Sequence, residues 1–226
     1  MIDRFSDALY TPTEVARYLT LPASTLRGWI APADESGSLP LVTAETTTVP
    51  GEARVPFVGL AEAYTLRAIR TARIPMQRIR PALEQLARRD QLRHALASER
   101  LFTDGAELLL DVADGASGEE AEAVRQLVVV RSGQGVLHEV VRDYLHRVTF
   151  EGGYAQVIPL PTFGGAVVVD PSRSFGQPIF ASSGARLDDA LDLFKAGVDV
   201  NDVADEFAIS AEELQQAIRG HMSLAA

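Results

Sequence analysis

The stretch Tyr10 to Trp29, YTPTEVARYLTLPASTLRGW, constrains the fold more than any other, because its punctuation fits two short helices joined by a tight turn. Thr11-Pro12-Thr13-Glu14 combines a threonine N-cap, a proline at the first helical position and a glutamate three residues after the cap, the sequence form of a capping box. Val15, Ala16 and Leu19 give this helix an apolar face, and Leu21-Pro22 stops it, because the residue before a proline is held out of the helical region. Pro22 is also placed to open a second helix, Ala23 to Ile30, with Leu26, Trp29 and Ile30 packed on the first and Ser24, Thr25 and Arg27 facing out. Two helices of this length and spacing are the elements of a helix-turn-helix, whose second helix enters the major groove of DNA.

The following segment reads as a wing. Pro32 to Pro40 is loop; Leu41-Val42-Thr43 and Arg54-Val55-Pro56-Phe57 are short strand candidates around a threonine-rich tip, Glu45 to Glu52. Helical periodicity resumes over Gly59 to Ala72, with Leu60, Ala63, Leu66 and Ile69 inward and Arg67, Arg70 and Arg73 sharing one face. Met76, Ile79, Leu83 and Leu86 then follow the spacing of a coiled-coil seam, interrupted near its start by Pro81 and ended by Asp90, so a core-facing helix is expected rather than a long dimer rod.

Beyond Ala95 the pattern becomes mixed. Arg100 to Thr103 and Ala106 to Val112 flank Asp104-Gly105 as hairpin candidates, and Leu127 to Arg131 is a buried-strand candidate. Gly135 to His146 has helical spacing, and Val148 to Glu151, Ala155 to Leu160 and Ala166 to Asp170 read as strands. From Leu187 the chain is helical again: one amphipathic helix to Gly197, a second capped by Asp199, and a third opened by the capping box Ser210 to Glu213. The expected fold class is α+β, with an N-terminal winged helix-turn-helix over 1–95 and a second unit over 96–226 whose small helical bundle occupies about 167–226.

Charge divides along the same line. Residues 1–95 carry a net of +2 and residues 96–226 a net of −12, and between Asp188 and Glu213 nine carboxylates face a single cation, Lys195. The N-terminal part can meet phosphates; a second helix-turn-helix spacing in the tail lies on a surface that a polyanion avoids. With no cysteine, disulfides and thiolate metal sites are excluded. The first residues lack the order of a signal peptide and no run has the length of a membrane span, so a cytoplasmic protein without membrane association is expected.

Enzyme chemistry finds little support. His94, His138, His146 and His221 are scattered, and the one pair sharing a neighbourhood, His138 and His146, sits two turns apart instead of the one turn a metal pair requires, so surface histidines are expected. Gly133-Gln134-Gly135 lacks the third glycine and the lysine of phosphate loops and reads as a turn. No nucleophile pairs with a base. The expectation is a protein with no catalytic residue, metal or cofactor.

Two family resemblances add to this reading. Tyr10-Thr11-Pro12, Ser24-Thr25-Leu26-Arg27, Arg54-Val55-Pro56-Phe57 and Leu66 to Leu83 are collinear with the opening, recognition-helix core, wing exit and following helix pair of the MerR regulators, so the first ninety residues resemble that winged helix-turn-helix. Pro22 stands where that family usually has a capping Ser or Thr. Val169-Asp170-Pro171, Phe175 to Pro178, Gly184 to Leu187 and Ala196 to Ala217 are similar to a small helical domain that recurs in bacterial antitoxins, with Ala185 in place of its usual threonine. Together the resemblances imply the antitoxin of a VapBC-type module, which binds a PIN-domain ribonuclease toxin and represses its own operon, as a homodimer on operator DNA. Thr25 and Arg27 would then face DNA and Arg54 hold a phosphate, with Thr13, Ser24 and Thr47 as further DNA-binding candidates. Arg67, Arg70 and Arg73 are candidates for flanking phosphates, and Arg186 and Lys195, the few cations of the tail, for the toxin. The alternative is a MerR-like transcription regulator whose later region senses a small molecule.

Overall fold

The computed structural model describes residues 2–31, 40–46, 49, 51–71, 94–103, 118, 121–122, 125, 128–131, 134–137, 142–143 and 145–225. Thr47, Arg73, the seam Met76 to Leu86 and the hairpin partner Ala106 to Val112 lie outside them.

The first helix, α1 (Pro12–Tyr18), begins on the expected capping box: the Glu14 N–H donates to Thr11 Oγ1 at 3.1 Å and the Thr11 N–H donates to Glu14 Oε2 at 2.7 Å. Its end is a Schellman motif, in which the Leu21 N–H reaches Ala16 O at 2.8 Å and the Thr20 N–H reaches Arg17 O at 3.1 Å. Thr20 takes the left-handed conformation that this closure requires, with φ 50°. The second helix, α2 (Ala23–Ile30), starts directly after Pro22 and buries Leu26, Trp29 and Ile30, each worth about 1.5–3 kcal/mol when fully removed from water.

The wing departs from the expected strand pair. Leu41 and Val42 are buried, but their N–H groups donate to Trp29 O at 2.9 and 3.1 Å, so this segment lies against the end of α2. Arg54 and Val55 pair with Tyr10 instead, through a bridge in which the Arg54 and Val55 N–H groups share Tyr10 O at 2.9 and 3.0 Å. Phe57, assigned to a strand by its neighbours in sequence, opens α3 (Phe57–Thr71). Pro56 explains the switch: it cannot donate to a ladder, and its carbonyl accepts from the Leu60 N–H at 3.2 Å as the helix begins.

After a 3-10 turn at Ala95–Ala97, the residues Glu99–Thr103 form a short helix, α4, rather than the expected strand. Its first N–H, that of Glu99, donates to Gly153 O at 2.9 Å, which ties it to the sheet. Two further strands, β1 (Val128–Arg131) and β2 (Gln134–Leu137), pair antiparallel with Arg131 opposite Gln134. The first matches the expected strand; the second overturns the helical reading of Gly135 to Leu137, because pairing with β1 claims its backbone. The main sheet is antiparallel in the order β3 (Thr149–Glu151), β4 (Tyr154–Pro159), β5 (Val167–Val169), β6 (Ile179–Phe180).

The tail is three helices, α5 (Leu187–Lys195), α6 (Val200–Glu206) and α7 (Ala211–Ala225). The α6–α7 turn repeats the closure of α1–α2: Ile209 N–H to Ala204 O at 3.0 Å, with Ala208 left-handed at φ 51°. The chain is thus an α+β fold with helix-turn-helix-like pairs at both ends. One apolar cluster runs from Tyr10 to Ala217 through α1 to α3, the sheet and the tail helices. Thr162 Oγ1 closes α1 onto the 3-10 turn Pro161–Phe163 by donating to Arg17 O at 2.8 Å and Tyr18 O at 3.0 Å.

Candidate nucleic-acid interface

The packing of α2 decides which of its side chains are free to act. With Leu26, Trp29 and Ile30 buried, Ser24 and Arg27 are left exposed and Thr25 is half-buried at the edge. Among the described residues Arg27 makes no hydrogen bond or ion pair. Thr13 is exposed in the first turn of α1.

The last two turns of α3 bring more positive charge to the same place. Arg70 Nη1 donates to Thr25 Oγ1 at 2.7 Å, and Arg67 Nη2 donates to Thr20 Oγ1 at 2.9 Å. One guanidinium therefore braces the second helix and the other the turn before it. Sequence spacing put Arg67 and Arg70 on one helix face, but it could not join them to hydroxyls 45 and 47 residues away. The described geometry brings Thr25, Arg67 and Arg70 together, with Arg27 two residues on from Thr25.

At the wing exit Arg54 is half-buried and its carbonyl accepts from the Glu45 N–H at 2.7 Å. The base of the wing is clamped to α3 by a buried carboxylate. Glu62 Oε2 accepts the Thr43 N–H at 2.6 Å, and Glu62 Oε1 accepts from the Thr43 hydroxyl at 3.2 Å and lies 2.9 Å from His94 Nδ1. His94 is therefore no surface histidine: its ring is largely covered and joins the wing base to the residues after α3. Gly59 permits this approach, since a Cβ there would overlap Thr43 O and Val55 Cγ1. Neither Glu62 nor His94 stood out from sequence, because a lone Glu amid Leu60, Ala63 and Leu66 reads as an ordinary helix residue.

The tail cations do not converge. Arg186 Nη1 lies 3.6 Å from Asp189 Oδ1 at the start of α5, and Lys195 Nζ lies 3.4 Å from Asp192 Oδ1 at its end, about 13 Å away along the helix. Among the described residues no group of His, Asp and Glu has the arrangement to hold a metal, and no helix is long and apolar enough to cross a membrane. An apolar cavity between α3 and the sheet, lined by Tyr64, Leu96, Leu145, Phe150 and Ile158, has a volume of about 10 Å³, room for about one water.

Comparison with known proteins agrees with this arrangement. A family described as "Putative DNA-binding HTH domain" matches residues 8–83, and one described as "Protein of unknown function (DUF433)" matches residues 167–219. The Mycobacterium tuberculosis (strain ATCC 25618 / H37Rv) protein "Putative antitoxin VapB45" is 42% identical over 95% of this chain and 94% of its own. The chain belongs to the VapB antitoxin family. A second protein of that organism, "Uncharacterized protein Rv2308", is 29% identical over 96% of this chain and 90% of its own. The X-ray crystal structure of Rv2018 from Mycobacterium tuberculosis superposes with a TM-score of 0.84 at 43% identity, covering 96% of this chain and 100% of the other. This VapB-type antitoxin therefore carries its DNA-binding helix-turn-helix module at the N-terminus, on α1 and α2.

Proposed function

We propose that this antitoxin represses its own operon through residues 1–95, as a homodimer, and neutralises a PIN-domain ribonuclease through the acidic region and tail that follow, in the cytoplasm and without catalysis of its own. The observation that carries the reading is the cationic frame around α2. Arg70 and Arg67 are fixed on Thr25 and Thr20, while Arg27 stays exposed beside them. In the MerR-like mode of docking, α2 enters the major groove, Thr25 and Arg27 reach base edges or phosphates, and Thr13 and Ser24 line the entry. Arg54 and Thr47 hold the strand under the wing, and Arg67, Arg70 and Arg73 meet flanking phosphates. The tail, with nine carboxylates against one cation between Asp188 and Glu213, repels DNA and suits a basic protein partner, with Arg186 and Lys195 as the candidate cations for the toxin. Among the described residues, the cavity between α3 and the sheet, about 10 Å³, holds about one water and is too small for an organic effector.

Two measurements test this. Co-expression with the adjacent toxin reading frame yields a stable complex and relieves toxicity; a neighbour that is not a nuclease, with nothing co-purifying, ends the antitoxin half of the reading. On the upstream DNA, Arg27→Ala weakens binding by about 1–3 kcal/mol if it reads a base and leaves toxin binding intact. Equal loss of both would refute the division of labour.

A further inference from the structure

Two threonine hydroxyls flank the entry to α2, and each accepts a hydrogen bond from an arginine of α3: Thr20 from Arg67 Nη2 at 2.9 Å and Thr25 from Arg70 Nη1 at 2.7 Å. They differ in where their own hydrogens go. Thr20 Oγ1 donates to Leu19 O at 2.7 Å, so that hydroxyl is committed on both sides within the fold. Thr65 and Thr71 of α3 donate back to the carbonyls four residues earlier, Ala61 O at 3.2 Å and Arg67 O at 2.9 Å, the common habit of a helical threonine. Thr25 does neither: among the described residues no acceptor takes its hydrogen.

A hydroxyl has one hydrogen to give and two lone pairs to receive with, so a threonine on a recognition helix can meet donors and acceptors alike. A guanidinium only donates. With Arg70 on its oxygen, Thr25 keeps its hydrogen as the uncommitted part, and the adjacent positive charge polarises that O–H and opposes a second N–H approaching the oxygen. Thr25 is the third residue of α2, half-buried, two positions before the exposed Arg27. It therefore lies in the first turn, the part of a recognition helix that contacts base edges. In the major groove guanine, adenine and thymine each present an acceptor, whereas cytosine presents only its amino donor.

We propose that Arg70 is a positioning residue for sequence reading: it sets the Thr25 hydroxyl as a donor, so that the base facing Thr25 is one that presents an acceptor, and cytosine is rejected there. This rests on the docking of α2 in the major groove proposed above. Thr20, committed on both sides, holds the turn and reads no base.

The test uses the full chain and a duplex of its own upstream DNA, together with every single base-pair substitution of that duplex, with affinity measured by fluorescence anisotropy at one salt concentration. Thr25→Val, isosteric but without the hydroxyl, binds the native duplex about fivefold more weakly and loses the discrimination against cytosine at one position only. Thr25→Ser stays within about threefold and keeps that discrimination, which separates loss of the hydroxyl from loss of packing. Arg70→Ala, with Thr25 intact, loses discrimination at the same position and adds nothing to that loss in the Thr25→Val background. An arginine that touched phosphate alone would weaken all duplexes uniformly; uniform weakening in Arg70→Ala with the discrimination intact overturns the proposal. Unchanged discrimination in Thr25→Val, or a preferred cytosine at the position it alters, overturns it too, and each of these outcomes leaves DNA binding standing. Failure of wild type to bind any of the duplexes at low salt removes the docking itself.

Discussion

Tyr10 is the residue on which three distant parts of the chain meet. Its N–H donates to Val55 O at 3.0 Å, its carbonyl receives Arg54 and Val55, and its phenol reaches Gly176 across 166 residues. Only 1% of it is exposed. Burial pushes the phenol pKa well above its ordinary value, with the charges of Glu14 and Asp170 adding to the effect, so the hydroxyl stays protonated and donates. Tyr10→Phe conserves the ring and creates no cavity, but it leaves Gly176 O without that donor. The expected cost is about 1–2 kcal/mol, read from the midpoint of urea unfolding at unchanged slope. A change under a few tenths would mean that water replaces the hydroxyl.

Among the elements, those legible from sequence are the ones closed by their own residues. The caps Thr11/Glu14 and Ser210/Glu213 act over three positions, and both helices begin where the spacing says. Strands depend on partners elsewhere, and a remote partner leaves no local signal: Arg54 and Val55 answer to Tyr10, not to Leu41. The two-residue strand Ile179–Phe180 is too short to show a period in the sequence. For the same reason the outward Ser24, Thr25 and Arg27 were legible from the helix period, whereas the bonds from Arg67 and Arg70 needed the fold. The wing base gives the matching prediction. Gly59→Ala sets a methyl against the Thr43 carbonyl and Val55, and backbone cannot move aside as a flexible side chain does. The expected cost is about 1–3 kcal/mol, with weaker operator binding than the stability loss alone explains, because the displaced segment leads to the wing. Unaltered DNA affinity in a folded Gly59→Ala protein would show that the wing does not touch the operator.

At the scale of the molecule, formal charge divides along the chain, +2 over residues 1–95 and −12 over 96–226, and salt tells the two parts apart. Binding of operator through arginine–phosphate contacts falls with a log–log slope of about −0.9 for each phosphate neutralised, a thermodynamic loss. On the proposed antitoxin reading, association of the −12 region with a basic toxin is steered by long-range attraction, so salt acts mainly on its association rate and little on its dissociation rate, which close contacts control. Replacing Asp188, Asp189 and Asp192 together with Asn should slow toxin association about as much as raising salt does, leave the dissociation rate within about twofold, and slightly strengthen DNA binding by removing repulsion. All three side chains are exposed, and the surface ion pairs they give up with Arg186 and Lys195 are worth about 0–1 kcal/mol each; losing the Asp188 and Asp189 charges from the first turn of α5 costs about 0.3–1 kcal/mol each, so a modest fall in stability is expected. Stopped-flow association at two salt concentrations decides it: a rate equal to wild type at low salt would mean that the toxin approaches from another side, and that the acidic tail serves only to keep this part of the chain off DNA.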